Sequence, residues 1–147
     1  MKVDPTTGST PPPKRSSSGA THLRVLIVED EALIRWAVAE AFTAAGHHVL
    51  EAADAATARR VVAEATEPLD AVLLDLRLPD SSDLSLLATI RRDTPTTAVV
   101  MMTAHGTQED AANAKALGAF DVVEKPFDVH QIERVVVAAY RARTASG

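Results

Sequence analysis

The feature that most constrains the fold is the run Ala71-Val72-Leu73-Leu74, closed abruptly by Asp75. It does not alternate polar with apolar residues. A short, uniformly apolar run of this kind is a strand covered on both faces, as in a parallel sheet with helices on either side. In such sheets functional groups gather in the crevice just past the carboxyl ends of the strands. Asp75 stands at that place and is followed by Leu76-Arg77-Leu78-Pro79-Asp80.

The rest of the chain supplies matching units. Residues 23–28 form a β-branched, mostly apolar strand that ends at Glu29-Asp30-Glu31. The spacing of Leu33, Ile34, Ala37, Val38, Ala41 and Phe42 predicts a helix over about 31–45 with these side chains inward, closed by Gly46. A short strand, 48–51, precedes a helix over 54–65 with Asp54 as its N-cap and Ala58, Val61 and Val62 facing inward. After the Asp75 strand come a helix over about 82–92 and a strand over 97–102 that ends at Thr103. An Ala-rich helix over 107–117 stops at Gly118, and a strand over 120–123 runs into Glu124-Lys125-Pro126. The last helix starts at Asp128 and places Ile132, Val135, Val136, Ala139 and Tyr140 on one face. Connections this short between parallel strands need crossover helices. The expectation is an α/β fold: a doubly wound, flavodoxin-like sheet of five parallel strands in the order 2-1-3-4-5, with five helices.

Hydrophobic residues make up 46% of the 147 but aromatics only 3%, so the core must be built from Val, Leu, Ile and Ala. Cysteine is absent, which removes thiolate metal sites and disulfides and suits a cytoplasmic setting. No run approaches the ~18 apolar residues of a membrane span. Residues 1–21 are rich in Pro and Ser and read as a disordered tail, residues 22–143 as the domain, and 144–147 as a C-terminal tail. The first 21 residues carry Lys2, Lys14 and Arg15 against Asp4, a net of +2. Of the 15 basic and 20 acidic groups in the chain, 12 and 19 therefore remain in 22–147, a net of −7. So acidic a domain is a poor reader of DNA.

In the order 2-1-3-4-5, the carboxyl ends of strands one, three, four and five meet on one rim. The residues there are Glu29 and Asp30, Asp75, Thr103 and Lys125. Taken singly, an acidic pair at a strand end is often only a helix N-terminal charge, such a Thr a cap and such a Lys a solvated side chain. Together they are more informative, because crowded carboxylates repel unless they share a cation. An all-oxygen donor set favours Mg²⁺. A hydroxyl and an ammonium complete the groups that bind phosphoryl oxygens, and a carboxylate so placed is a nucleophile able to form an aspartyl phosphate.

At these residues the sequence resembles the receiver (CheY-like) domain of bacterial two-component response regulators, over about residues 23–143. The motifs are Val28-Glu29-Asp30-Glu31, Leu74-Asp75-Leu76-Arg77-Leu78-Pro79-Asp80, Met102-Thr103-Ala104-His105-Gly106-Thr107 and Glu124-Lys125-Pro126-Phe127. The second and third look most like receivers attached to sigma-54-dependent activators. The resemblance implies that Asp75 accepts phosphate from a histidine kinase or histidine phosphotransfer protein. It further implies that Asp30, Asp75 and the Arg77 carbonyl bind Mg²⁺ directly, with Glu29 acting through water. Thr103 would then bond the phosphoryl group, Lys125 would pair with it, and the Lys125–Pro126 bond would be cis.

Two positions depart from the pattern. Val122 stands where an aromatic switch residue is usual, and Phe120 lies two residues earlier; Asp83 replaces a usual Gly. Arg77 and His105 lie beside the phosphoryl site, either as tuners of phosphate lifetime or as solvated rim residues. His22, His47, His48 and His130 read as surface residues. Trp36 falls on the flank of the first helix, where receivers of this family dock on kinases; it either anchors a partner or lies over the last helix.

These features predict a stand-alone response regulator, not an enzyme, that signals by phosphorylation-dependent binding of a downstream protein. It would act as a monomer or a phosphorylation-dependent dimer, with no membrane and no direct DNA contact. The alternatives are a phosphorelay shuttle or phosphate sink, and a phosphorylation-independent binding module. An aspartate-nucleophile phosphatase needs an acid two residues after the nucleophile, where this chain has Arg77.

Overall fold

The structure, a computed structural model, describes residues 21–81 and 84–146. Nearly all of the expected tail therefore lies outside the described residues, as do Ser82 and Asp83. In chain order the elements are β1 (Arg24–Val28), α1 (Ala32–Ala44), β2 (His48–Ala52), α2 (Ala55–Glu64), β3 (Ala71–Asp75), α3 (Ser85–Asp93), β4 (Ala98–Thr103), α4 (Gln108–Ala116), β5 (Asp121–Glu124) and α5 (Val129–Ser146). All strand pairs are parallel and the order is β2-β1-β3-β4-β5. The predicted architecture is the observed one. Helix α5 continues through 144–146, into the stretch expected to be a tail.

Strand alternation divides the core into two layers. Leu26, Val28, Val72, Leu74, Val99 and Met101 face α2, α3 and α4, meeting Ala55, Ala58, Leu86, Leu87, Ile90 and Ala114. Val25, Ile27, Leu73, Val100 and Met102 face α1 and α5, meeting Val38, Phe42, Ile132, Val136 and Ala139. Every residue of β3 and β4 is buried, as their unalternating apolar runs require. Burying one such side chain contributes roughly 1.5–3 kcal/mol, so the central strands anchor the rim residues that follow them.

Local chemistry fixes the helix ends. Gly46 follows α1 with φ +96°, a conformation that a side chain would strain. Asp54 caps α2 by accepting from the Thr57 amide at 2.7 Å. The Asp80 carboxylate adds to that cap from the β3–α3 loop, accepting from the Ala55 and Ala56 amides at 2.8 and 3.0 Å. Thr107 and Asp110 form a capping box on α4. Among the described residues, no helix is long and apolar enough to cross a membrane.

Two expectations from the sequence need correction. Leu33 does not face the sheet; it is 77% exposed. Helix α1 buries Val38, Ala39, Ala41 and Phe42, none of them in its first turn. There Leu33, Ile34 and Ala37 line an open cavity of about 240 Å³ with Pro126, Phe127 and Val129. His47 is buried, not superficial. Its Nδ1 accepts from the Leu23 amide at 3.0 Å, which places the ring hydrogen on Nε2, 2.6 Å from Glu133 Oε2. The Leu23 amide lies just before β1 begins, and the imidazole satisfies it there. His22, His48 and His130 are exposed as expected.

Candidate functional site

Register brings the rim residues together. Val28 pairs with Leu74, so Glu29 lies level with Asp75; Asp75 pairs with Met102, and Thr103 with Glu124. Alternation then puts Glu29, Asp75 and Lys125 on the α1/α5 side of the sheet. Lys125 Nζ lies 2.7 Å from Glu29 Oε1 and 2.9 Å from Asp75 Oδ2. The peptide bond that follows Lys125 is cis, as the motif implied.

Each carboxylate is held separately. Asp75 Oδ1 accepts from the Arg77 amide at 3.1 Å, and Glu29 Oε2 from the Glu31 amide at 2.9 Å. Glu29, Asp75 and Thr103 are buried, whereas Asp30 is exposed at the mouth of the group. One oxygen from each of Glu29, Asp30 and Asp75 lies within 4.8 Å of the others. Burial pushes the Glu29 carboxyl above its ordinary range, the Asp75 charge adds to this, and Lys125 and the Glu31 amide oppose it. Burial opposes the charge on Lys125, but its bonds to Glu29 and Asp75 outweigh this and raise its pKa. Two of the three clustered carboxylates thus share the Lys125 ammonium, and Asp30 stands beside them.

This donor set fits a hard divalent cation. Glu29 Oε1 is buried and, apart from the ion pair, has no hydrogen-bond donor among the described residues. The arrangement is all-oxygen and over-acidic, as a Mg²⁺ pocket requires.

Thr103 lies at the end of β4 with its hydroxyl accepting from the His105 amide at 3.3 Å. Gly106 packs on it so closely that a Cβ there would meet Thr103 Cγ2 at 2.5 Å. Sequence reasoning quoted Gly106 within a motif but gave it no role; a Gly three residues after a strand-end Thr was the available signal. The Arg77 and His105 side chains are exposed beside the site, each with its amide turned to a site oxygen. Val122 is half-buried against the α2–α4 layer. Phe120 precedes β5, at the opposite end from Thr103, and is 44% exposed. Among the described residues, no aromatic therefore takes the place beside Thr103 that Val122 leaves. Trp36 is 59% exposed on α1.

Comparison with known proteins agrees with this geometry. Residues 25–137 match the response regulator receiver domain. The chain belongs to that family. It is 38% identical over 116 residues to the DNA-binding transcriptional regulator NtrC of Proteus hauseri, covering 76% of this chain and 24% of that protein. The crystal structure of a CheY-like receiver domain protein from Methanospirillum hungatei JF-1 superposes with a TM-score of 0.79 at 22% identity, covering 86% of this chain and 100% of that one. The beryllofluoride-activated NtrC4 receiver domain dimer gives a TM-score of 0.75 at 28% identity, over 82% of this chain and 98% of that one. The chain spans about a quarter of the length of the curated relatives it matches. Receiver domains serve two-component signalling: they take up a phosphoryl group from histidine kinases and bind Mg²⁺ at an acidic pocket, and this chain has an acidic cluster of Glu29, Asp30 and Asp75.

Proposed function

We propose that Asp75 is the phosphoacceptor and that this receiver takes its phosphoryl group from a histidine kinase or a histidine phosphotransfer protein. The observation that carries this reading is the 2.9 Å contact between Lys125 Nζ and a buried Asp75 that also belongs to the acidic trio. A carboxylate oxygen of Asp75 attacks the phosphorus of a phosphohistidine. The P–N bond breaks, its electron pair leaves with the donor imidazole, and an acyl phosphate forms on Asp75. Lys125, already beside Asp75, pairs with the incoming phosphoryl oxygens, and the Thr103 hydroxyl bonds another of them. Asp30, Asp75 and the Arg77 carbonyl would hold Mg²⁺, with Glu29 acting through water. When bound, the ion neutralises charge building up on the phosphoryl oxygens.

Output by phosphorylation-dependent protein binding is the companion reading. Leu117 and Phe120 are exposed apolar residues between α4 and β5, the kind of surface that a partner or a second copy would cover. The NtrC4 receiver named above is a dimer when activated, which favours testing self-association first. Val122, with no aromatic beside Thr103, favours a second reading in which the domain is a phosphorelay shuttle or phosphate sink. The DNA binding named for the Proteus relative is not carried over, because residues 22–147 have a net charge of −7.

The test is chemical trapping. The protein is incubated with a small phosphodonor and Mg²⁺, then reduced with borohydride, which converts an acyl phosphate into the alcohol. Peptide mapping is expected to place the alcohol at position 75, and a label at another carboxylate would overturn the assignment.

A further inference from the structure

Glu29 is held at every backbone and side-chain group, and one of the holders lies outside the acidic site. Its amide extends the β1–β2 ladder by donating to Ala52 O at 3.0 Å, and its carboxylate meets Glu31 and Lys125. Its carbonyl oxygen accepts from Arg35 Nη1 at 2.8 Å. The guanidinium is itself fixed, because Arg35 Nε donates to Glu51 Oε1 on β2 at 3.0 Å. The Arg35 side chain is only 21% exposed. One planar fork therefore ties the carbonyl leaving β1 to the neighbouring strand, and Asp30 begins at that carbonyl. The direction in which the Glu29–Asp30 peptide plane points decides whether the Asp30 carboxylate joins Glu29 and Asp75. Arg35 holds that carbonyl, and the Glu31 amide bonded to Glu29 Oε2 holds the other side of the turn.

From this geometry we infer that Arg35 is a positioning residue for the acidic pocket, acting through the Glu29 carbonyl to hold Asp30 in cation-binding register. The inference rests on the proposed Mg²⁺ role of the pocket and deepens it. It also reverses a simple electrostatic expectation. A guanidinium near a cation site repels the cation, so removing it should tighten binding if charge were all that mattered. Positioning requires the opposite sign, since groups that orient metal ligands typically govern affinity by roughly ten- to a hundredfold. Lys at this position would keep the charge but lose the fork that reaches both Glu29 O and Glu51.

The experiment is calorimetric titration of Mg²⁺ into the unphosphorylated full chain, comparing wild type with Arg35→Ala and Arg35→Lys, with thermal melts to show that each variant is folded. Arg35→Ala is expected to weaken Mg²⁺ binding by about tenfold, with Arg35→Lys intermediate. Unchanged or tighter binding by Arg35→Ala, beside a wild type that binds, overturns the inference alone. Failure of the wild type itself to bind Mg²⁺ overturns the metal role of the pocket and the inference with it. If Arg35→Ala does not fold, Arg35→Lys carries the test, and its binding Mg²⁺ as tightly as wild type overturns the inference.

Discussion

At the scale of single residues, the site is a charge imbalance held in place by packing. Glu29 and Asp75 share one ammonium with the Asp30 carboxylate close by, and burial above all raises the Glu29 carboxyl. A folded-state pKa above the ordinary value means that stability present at low pH is lost as pH rises through the folded value. Glu29 therefore opposes folding as it ionises, while Lys125, its pKa raised by Glu29 and Asp75, contributes in the opposite sense. Asp30→Asn removes one of three carboxylates whose oxygens lie within 4.8 Å of one another, so it should raise the melting temperature of the metal-free protein by about 2 °C, and saturating Mg²⁺ should abolish or reverse the difference. Gly106 supplies a second prediction. With Thr103 Cγ2 only 2.5 Å from where a Cβ would sit, Gly106→Ala must displace the threonine or the loop. It should cost about 1–3 kcal/mol in urea unfolding and slow phosphoryl uptake.

At the scale of elements, helix α2 receives its first turn from two places. Asp54 caps it locally, and Asp80 reaches across from the loop that follows Asp75. Amide donors hold the Asp80 carboxyl below its ordinary 3.8, those of Ala55 and Ala56 most of all. The sign follows: a depressed folded pKa contributes stability present above about pH 3.8 and lost as pH falls through the lower folded value. Asp80→Ala should thus lower the melting temperature by a few °C at pH 7, with the gap to wild type closing below about pH 3.8. Helix α1 behaves differently, since Leu33 and Trp36 are 77% and 59% exposed. The double substitution Leu33→Ala/Trp36→Ala should leave stability within roughly 0.5 kcal/mol of wild type. Uptake from a small phosphodonor should be unchanged while transfer from a phosphorylated histidine kinase slows, which stopped-time mass analysis would separate.

At the scale of the whole molecule, the fold was legible because β3 and β4 are covered on both faces, and sequence periodicity reports that directly. The rim residues were legible for the same reason: a polar residue ending such a run, as Asp75 and Thr103 do, has only the crevice to enter. What escaped was set by contacts distant in sequence. His47 looked superficial because Leu23 and Glu133, which bury and satisfy it, lie 24 and 86 residues away. Leu33 fitted the helical period of α1, but period cannot say that burial on this helix begins only at Val38. Asp80 and Arg35 act on α2 and on a backbone carbonyl, and neither leaves a spacing signature in the chain. The central claim, that this assembly exists to phosphorylate Asp75, is tested most directly by an intact-mass time course with a small phosphodonor. It compares wild type with Asp75→Asn, with and without Mg²⁺. The predicted result is a single Mg²⁺-dependent phosphoryl adduct on wild type and none on Asp75→Asn; no adduct on wild type, or one that survives the substitution, would contradict it.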